Sequence, residues 1–178
     1  QGSSQVLKMS MELGGNAPFI VYEDADFNKA LDLAIGLKFG NTGQICVAAN
    51  RFFIEESLYN RFITEYIERA KSLKLGFGVD EAVDMGPMVD EKSRNRMFEL
   101  IEDAVEKGAT LACGGYIPEN LQKGAWIAPT VLTDTTTDMR VFKEEIFGPV
   151  AAFMKFKTDD EVLELANDTE YGLSLIHI

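Results

Sequence analysis

Residues Phe39-Gly40-Asn41-Thr42-Gly43-Gln44-Ile45-Cys46-Val47-Ala48 set one cysteine behind two glycines and two amide side chains, after one apolar-periodic segment ends and before the next begins. A loop that turns tightly and offers backbone N–H groups suits a thiol that a substrate must reach. A thiolate is the strongest nucleophile among the side chains once something activates it. Histidine often serves, but the only histidine is His177, next to the last residue, which argues against a Cys/His pair. The other proton acceptor that stands out is Glu12, in Met11-Glu12-Leu13-Gly14-Gly15, where glycines let the backbone turn.

Upstream of the cysteine loop, residues 6–13 alternate, with Leu7, Met9, Met11 and Leu13 opposite Lys8, Ser10 and Glu12. That period predicts a half-buried strand with Glu12 at its carboxyl end, the edge where open α/β sheets place ligands. Phe19-Ile20-Val21-Tyr22 reads as a second short strand. Asp24 or Asp26 can cap a helix whose apolar face carries Phe27, Ala30, Leu31, Ala34 and Leu37, and this helix delivers the chain into the cysteine loop.

Downstream, Arg51-Phe52-Phe53-Ile54 predicts a strand, and Leu58, Phe62, Ile63, Tyr66, Ile67, Ala70 and Leu73 recur at helical spacing over 57–73. Glycines and prolines punctuate 76–89, and Asp90 can cap a helix carrying Met97, Leu100, Ile101, Ala104 and Val105 that stops at Gly108. Thr110-Leu111-Ala112-Cys113, Trp126-Ile127-Ala128-Pro129-Thr130-Val131-Leu132 and residues 149–156 read as strands. Thr158 with Glu161 forms a capping box for a last helix through Asn167. Strands alternating with helices of this length predict an α/β domain, a largely parallel sheet with helices on both faces.

Composition narrows the classes. With 178 residues and 46% hydrophobic content, the chain can bury one sizeable core. A net charge of −12 disfavours nucleic acid or an anionic membrane surface as partner, because both would repel it. No apolar run reaches the roughly 18 residues of a spanning helix, and no signal peptide opens the chain, so the cytoplasm is the expected compartment. Two cysteines and one histidine supply neither a disulfide framework nor a zinc site, and no metal is expected.

Glu12-Leu13-Gly14-Gly15-Asn16-Ala17-Pro18 is followed, 34 residues after the glutamate, by Gly43-Gln44-Ile45-Cys46, and then by Lys143-Glu144-Glu145-Ile146-Phe147-Gly148-Pro149-Val150. These three motifs, in this order and spacing, resemble the signatures of the NAD(P)-dependent aldehyde dehydrogenase superfamily. The similarity runs from about Lys8 to Ser174 and breaks at Leu175-Ile176-His177-Ile178, a tail that departs from the family pattern. Because the family's glycine-rich cofactor loop and oxyanion asparagine would lie upstream of Glu12, residues 1–174 are expected to be a catalytic-domain fragment that does not turn over aldehyde alone.

The resemblance implies roles residue by residue. Cys46 is the nucleophile that adds to an aldehyde carbonyl, with its own N–H as one oxyanion donor. Glu12 is the base for thiol activation and deacylation. Glu145 binds the nicotinamide ribose hydroxyls, Phe147 packs near the nicotinamide, and Leu13 joins them in the cofactor set, with NAD or NADP as the cofactor. A small aldehyde is the implied substrate and a homo-oligomer the implied parent. Taken singly, Cys46 would be an inert buried thiol, Glu12 and Glu145 solvated surface charges and Phe147 core packing; the ordering of the three motifs reverses those readings. Cys113 is assigned no chemistry.

Residues 12–26 and 46–51 are similar to the succinate-semialdehyde dehydrogenase branch. That branch carries an arginine six residues before the nucleophile, where this chain has Gly40, and often a second cysteine where this chain has Ala48. Succinate semialdehyde or a related semialdehyde is therefore the implied substrate class, without the arginine that would pair its carboxylate. Two other readings stand beside this one. A cysteine-dependent acyl hydrolase or transferase would use Cys46 and Glu12 without a nicotinamide, and a non-catalytic member would keep the fold alone.

Overall fold

A computed structural model describes residues 10–80, 82–173 and 176–177. The first element is β1 (Ala17–Val21), buried along its whole length. Helix α1 (Phe27–Phe39) follows, capped by Asp26, whose carboxylate accepts the Lys29 N–H at 3.2 Å. A one-turn segment, Gly40–Gly43, then leads through Cys46 into β2 (Ala49–Glu55), which passes without a loop into α2 (Glu56–Ser72).

The second half holds α3 (Glu91–Glu106), β3 (Thr110–Cys113), β4 (Thr130–Thr133), the short α4 (Arg140–Lys143), β5 (Val150–Phe156), α5 (Asp159–Asn167) and β6 (Ile176–His177). Asp90 caps α3 by accepting from Ser93 N at 2.7 Å. Thr158 caps α5, and the Glu161 carboxylate reaches back to Lys157 N at 2.8 Å, closing a capping box one residue further out than usual.

The six strands of the described residues form one sheet in the order β3-β4-β5-β2-β1-β6. Every pairing is parallel except β3 with β4 at the edge. Alternation along the central strands assigns residues to the two faces. Phe52 and Ile54 of β2 and Phe153 of β5 join α1 and α2 in one core, where the Phe52 and Phe153 rings stack with centroids 4.8 Å apart. On the other face, Val150 and Ala152 pack with Met97, Leu100 and Ile101 of α3, while Phe53 packs with Phe142 of α4 and Val162 of α5. The sheet is therefore covered on both sides, as the alternation of strand and helix patterns predicts.

Two strand expectations are corrected. Residues 10–16 form no strand, and residues 6–9 of the predicted strand lie outside the described residues. Met11 is 61% exposed and Leu13 59%, so the alternating apolar face between 10 and 13 has nothing to bury against. Glu12 thus stands in an irregular exposed segment and not at a strand end. The strand predicted over 126–132 starts only at Thr130, because Pro129 has no N–H to give a sheet ladder. Ile127 and Ala128 are nonetheless buried, within the α3-side core in the case of Ile127. The tail expected to depart from the family pattern contributes β6, which pairs with β1 at Phe19 and Ile20, while Leu175 and Ile178 lie outside the described residues.

Candidate active site

Cys46 sits at the end of a backbone held in an unusual shape. Asn41, Thr42 and Gly43 have successive φ values of 48°, 59° and 71°. For a β-branched residue such as Thr42 the left-handed region is sterically costly, and that conformation persists only where the surroundings impose it. Here they do. Thr42 Oγ1 donates to Gly86 O at 3.1 Å, Asn41 Nδ2 donates to Gln44 O at 3.0 Å, and Gln44 Oε1 accepts from Val89 N at 2.8 Å. The loop before Cys46 is thereby pinned to residues 86–89.

The same loop is in backbone contact with the two other motifs. A Cβ on Gly43 would fall 2.2 Å from Gly148 O, and one on Gly15 would fall 2.5 Å from Cys46 O. Only glycine allows these approaches. The 34 and 102 residues that separate Glu12 from Cys46, and Cys46 from Gly148, are thus folded out of the way by the helices between them.

A cleft of about 460 Å³ opens where the three segments meet, lined by Glu12, Leu13, Cys46, Glu145 and Phe147 together with Gly14, Asn41, Gln44 and Ile45. All five residues singled out in the sequence are in it. Cys46 is half-buried, and among the described residues no acceptor receives its N–H, which leaves that donor for a ligand oxygen. Glu12 is exposed on the rim. Glu145 Oε1 accepts the Gly15 N–H at 2.9 Å, leaving Oε2 to accept from a ligand hydroxyl. Phe147 is 38% exposed at a φ of 48°, an aromatic side chain held toward solvent by a backbone conformation it disfavours. An exposed ring and an exposed Leu13 beside a carboxylate with one oxygen to spare fit a flat heteroaromatic group carrying ribose hydroxyls, the nicotinamide end of NAD or NADP.

Cys113 belongs elsewhere. It lines a separate cavity with Leu73, Leu75 and Tyr116, and burial, opposed mainly by the nearby Lys71, pushes its thiol pKa up. The two cysteines are thus distinct in place, one at the junction of three motifs and one on a strand wall.

Two polar residues under the cleft escaped sequence reading. Lys38 is fully buried in the last turn of α1 and donates from Nζ to Asn50 Oδ1 at 3.2 Å. Its position in the series Ala30, Ala34, Lys38 was the available signal, since a four-residue step from two apolar positions places it on the core face.

The mostly parallel α/β sheet, with a cysteine, two carboxylates and exposed apolar side chains at one cleft, is the architecture of an oxidoreductase domain, and the comparisons with known proteins give its family. The family model described as "Aldehyde dehydrogenase family" matches residues 1–176. A 3-sulfolactaldehyde dehydrogenase from Pseudomonas putida is 48% identical, over 98% of this chain and 35% of its own length. An NADP(+) succinate-semialdehyde dehydrogenase from Escherichia coli is 44% identical, over 98% of this chain and 36% of its own. A crystal structure of betaine aldehyde dehydrogenase from Staphylococcus aureus in complex with NAD+ superposes with a TM-score of 0.92 at 38% identity, covering 97% of this chain and 35% of that one. The chain belongs to the aldehyde dehydrogenase family. It spans about a third of the length of these relatives.

Proposed function

We propose that this chain carries the nucleophile, the base and the nicotinamide-facing wall of an NAD(P)-dependent aldehyde dehydrogenase, an enzyme that converts an aldehyde to a carboxylic acid. The observation that carries the reading is the convergence of Glu12, Cys46, Glu145 and Phe147 on one cleft, with backbone strain concentrated at Asn41, Thr42 and Phe147 around it.

The chemistry follows from what each group can do. The Cys46 sulfur adds to the aldehyde carbon, and the Cys46 N–H is placed to hold the oxyanion that forms. NAD(P)+ supplies a hydride acceptor when bound beside the sulfur. Glu145 orients that cofactor by accepting ribose hydroxyls on Oε2, and Phe147 and Leu13 exclude water from its ring. Glu12, solvated at the rim, takes the thiol proton, releases it to solvent, and later takes a proton from the water that hydrolyses the thioester on Cys46.

Two relatives are named for aldehydes that carry an acidic group, 3-sulfolactaldehyde and succinate semialdehyde. Such a semialdehyde is the substrate class we favour. Gly40 supplies no guanidinium at that position, and no arginine is among the residues lining the cleft. The same reading takes a cytoplasmic homo-oligomer as the parent; one relative is named as a cytosolic enzyme. A cysteine acyl hydrolase would need Cys46 and Glu12 but has no use for an exposed Phe147 beside Glu145.

The test is alkylation of the two thiols mapped by mass spectrometry across pH, in the chain and in Glu12→Gln. Faster labelling of Cys46 than of Cys113 at neutral pH, reduced in Glu12→Gln, is the expected result. Equal labelling of both, unchanged by the substitution, would overturn the assignment of nucleophile and base.

A further inference from the structure

Beneath the cleft a buried line of hydrogen bonds joins α1, the helix that leads into the cysteine loop, to the other two motifs. Lys38 Nζ donates to Asn50 Oδ1 at 3.2 Å, and Asn50 Nδ2 donates to Gly15 O at 3.2 Å. The N–H of the same Gly15 donates to Glu145 Oε1 at 2.9 Å. Lys38 and Asn50 are 0% and 2% exposed, so neither can exchange its partner for water. The line therefore runs Lys38, Asn50, Gly15, Glu145, and its last two links hold Gly15 by its carbonyl and its N–H.

Packing alone does not call for a lysine at this position. The neighbouring face of α1 is built from Ala30, Leu31 and Ala34, and an apolar side chain would fill the site without the penalty of burying an ammonium. Among the described residues the charged group that acts on Lys38 is Glu145; Lys29 and Asp32 of α1 and Arg51 and Glu55 of β2 exert no comparable field on it. Each end of the line thus feels the other, by charge as well as through the bonds between them.

We propose that Lys38 is a positioning residue of the site: through Asn50 it fixes the Gly15 backbone, and by its charge it holds Glu145, keeping the Glu12 and Phe147 segments in place around Cys46. This deepens the proposed function and rests on that reading for its consequence, though not for its geometry. Burial brings the Lys38 ammonium down to about 7, against the opposing pull of Glu145. Below that value the ammonium both donates to Asn50 and attracts Glu145. Above it the neutral amine keeps only the hydrogen bond, and the grip on Gly15 and Glu145 loosens.

The experiment is a pH titration by NMR of the 178-residue chain, following the Lys38 Cε–H signal and the Gly15 amide. The expected result is a Gly15 titration that shares the Lys38 midpoint, near 7, and vanishes in Lys38→Met. In Glu145→Gln, where the opposing charge is gone, the Lys38 midpoint moves to lower pH. A Gly15 amide that stays flat while Lys38 titrates, or that still titrates in Lys38→Met, would overturn the proposal. So would a Lys38 midpoint unmoved in Glu145→Gln, an arm that keeps Lys38 itself and needs no folded Lys38→Met. Thiol alkylation separates the two ideas: unselective labelling of Cys46 with an intact Lys38–Gly15 titration sinks the catalytic reading and leaves the positioning link standing.

Discussion

The carbonyl oxygen of Cys46 lies against Gly15, so close that a Cβ at residue 15 would come within 2.5 Å of it. This backbone contact sets the nucleophile's segment beside the segment of its candidate base. Gly15→Ala must push the two apart, because the clash is with main chain and not with a flexible side-chain end. The expected cost is about 1–3 kcal/mol in stability, the usual range for overpacking. Selective alkylation of Cys46 over Cys113 should be lost at the same time. A variant that keeps both its melting temperature and its selectivity would show that the contact does not position the thiol.

Phe147 makes a different kind of prediction. Were it a core residue, its replacement by glycine would cost roughly 3–5 kcal/mol. It is instead partly exposed at a φ of 48°, where a side chain costs about 1–2 kcal/mol relative to glycine. Phe147→Gly should therefore leave stability within about 1 kcal/mol of the parent chain, while weakening binding of NAD(P)+ in any protein that carries this domain. Denaturant unfolding checks the first part and fluorescence titration with the nucleotide the second.

Much of this site was legible because its signals are local. Asp26, Asp90 and Thr158 announce their helices by side-chain chemistry, and the glycines of Glu12-Leu13-Gly14-Gly15 and Gly43-Gln44-Ile45-Cys46 mark where backbones can touch. What the residues alone could not say is which glycine touches which carbonyl, since Gly43 meets Gly148 only through the tertiary fold. The alternation over 6–13 misled for a related reason. A period of two is compatible with a strand, but it becomes one only where another strand or a helix covers the apolar face, and Met11 and Leu13 have no such cover. The left-handed Asn41, Thr42 and Phe147 were invisible because none is a glycine; their conformations are imposed from outside their own sequence.

Arg51 offers a test of what holds the sheet to α5. It is 2% exposed, and its guanidinium donates to Asn16 O from Nε at 3.1 Å and from an Nη at 2.9 Å, and to Leu165 O and Ala166 O at 2.9 Å each. It also faces the Phe142 ring, 5.1 Å from the centroid. Replacing it by Met leaves these carbonyls without their donors, at a cost of about 3–5 kcal/mol. Arg51→Lys should recover only part of that, because a single ammonium cannot span three carbonyls in the planar arrangement a guanidinium offers. Chemical denaturation of the three proteins orders them, and equal midpoints for Arg51 and Lys would contradict the role of the fork.

Lys38 gives the chain an unusual stability profile. Its amine holds a proton to about 7 when folded, against an ordinary value of 10.5. Between those values the unfolded chain binds the proton and the folded chain does not, so unfolding takes up protons and stability rises with pH across that window. Below the folded value both states are protonated and the full penalty of burying the charge is present. One such group contributes roughly 2 kcal/mol of added stability between about pH 7 and about pH 9, from ~1.4 kcal/mol per pKa unit. Lys38→Met removes that slope, while leaving Asn50 Oδ1 short of a donor. Unfolding free energies of the chain and of Lys38→Met, measured at both pH values, should differ in their pH dependence by about that amount. Parallel profiles would mean that the buried amine does not titrate in this range, and the neutral-pH loosening of the Gly15 grip would go with it.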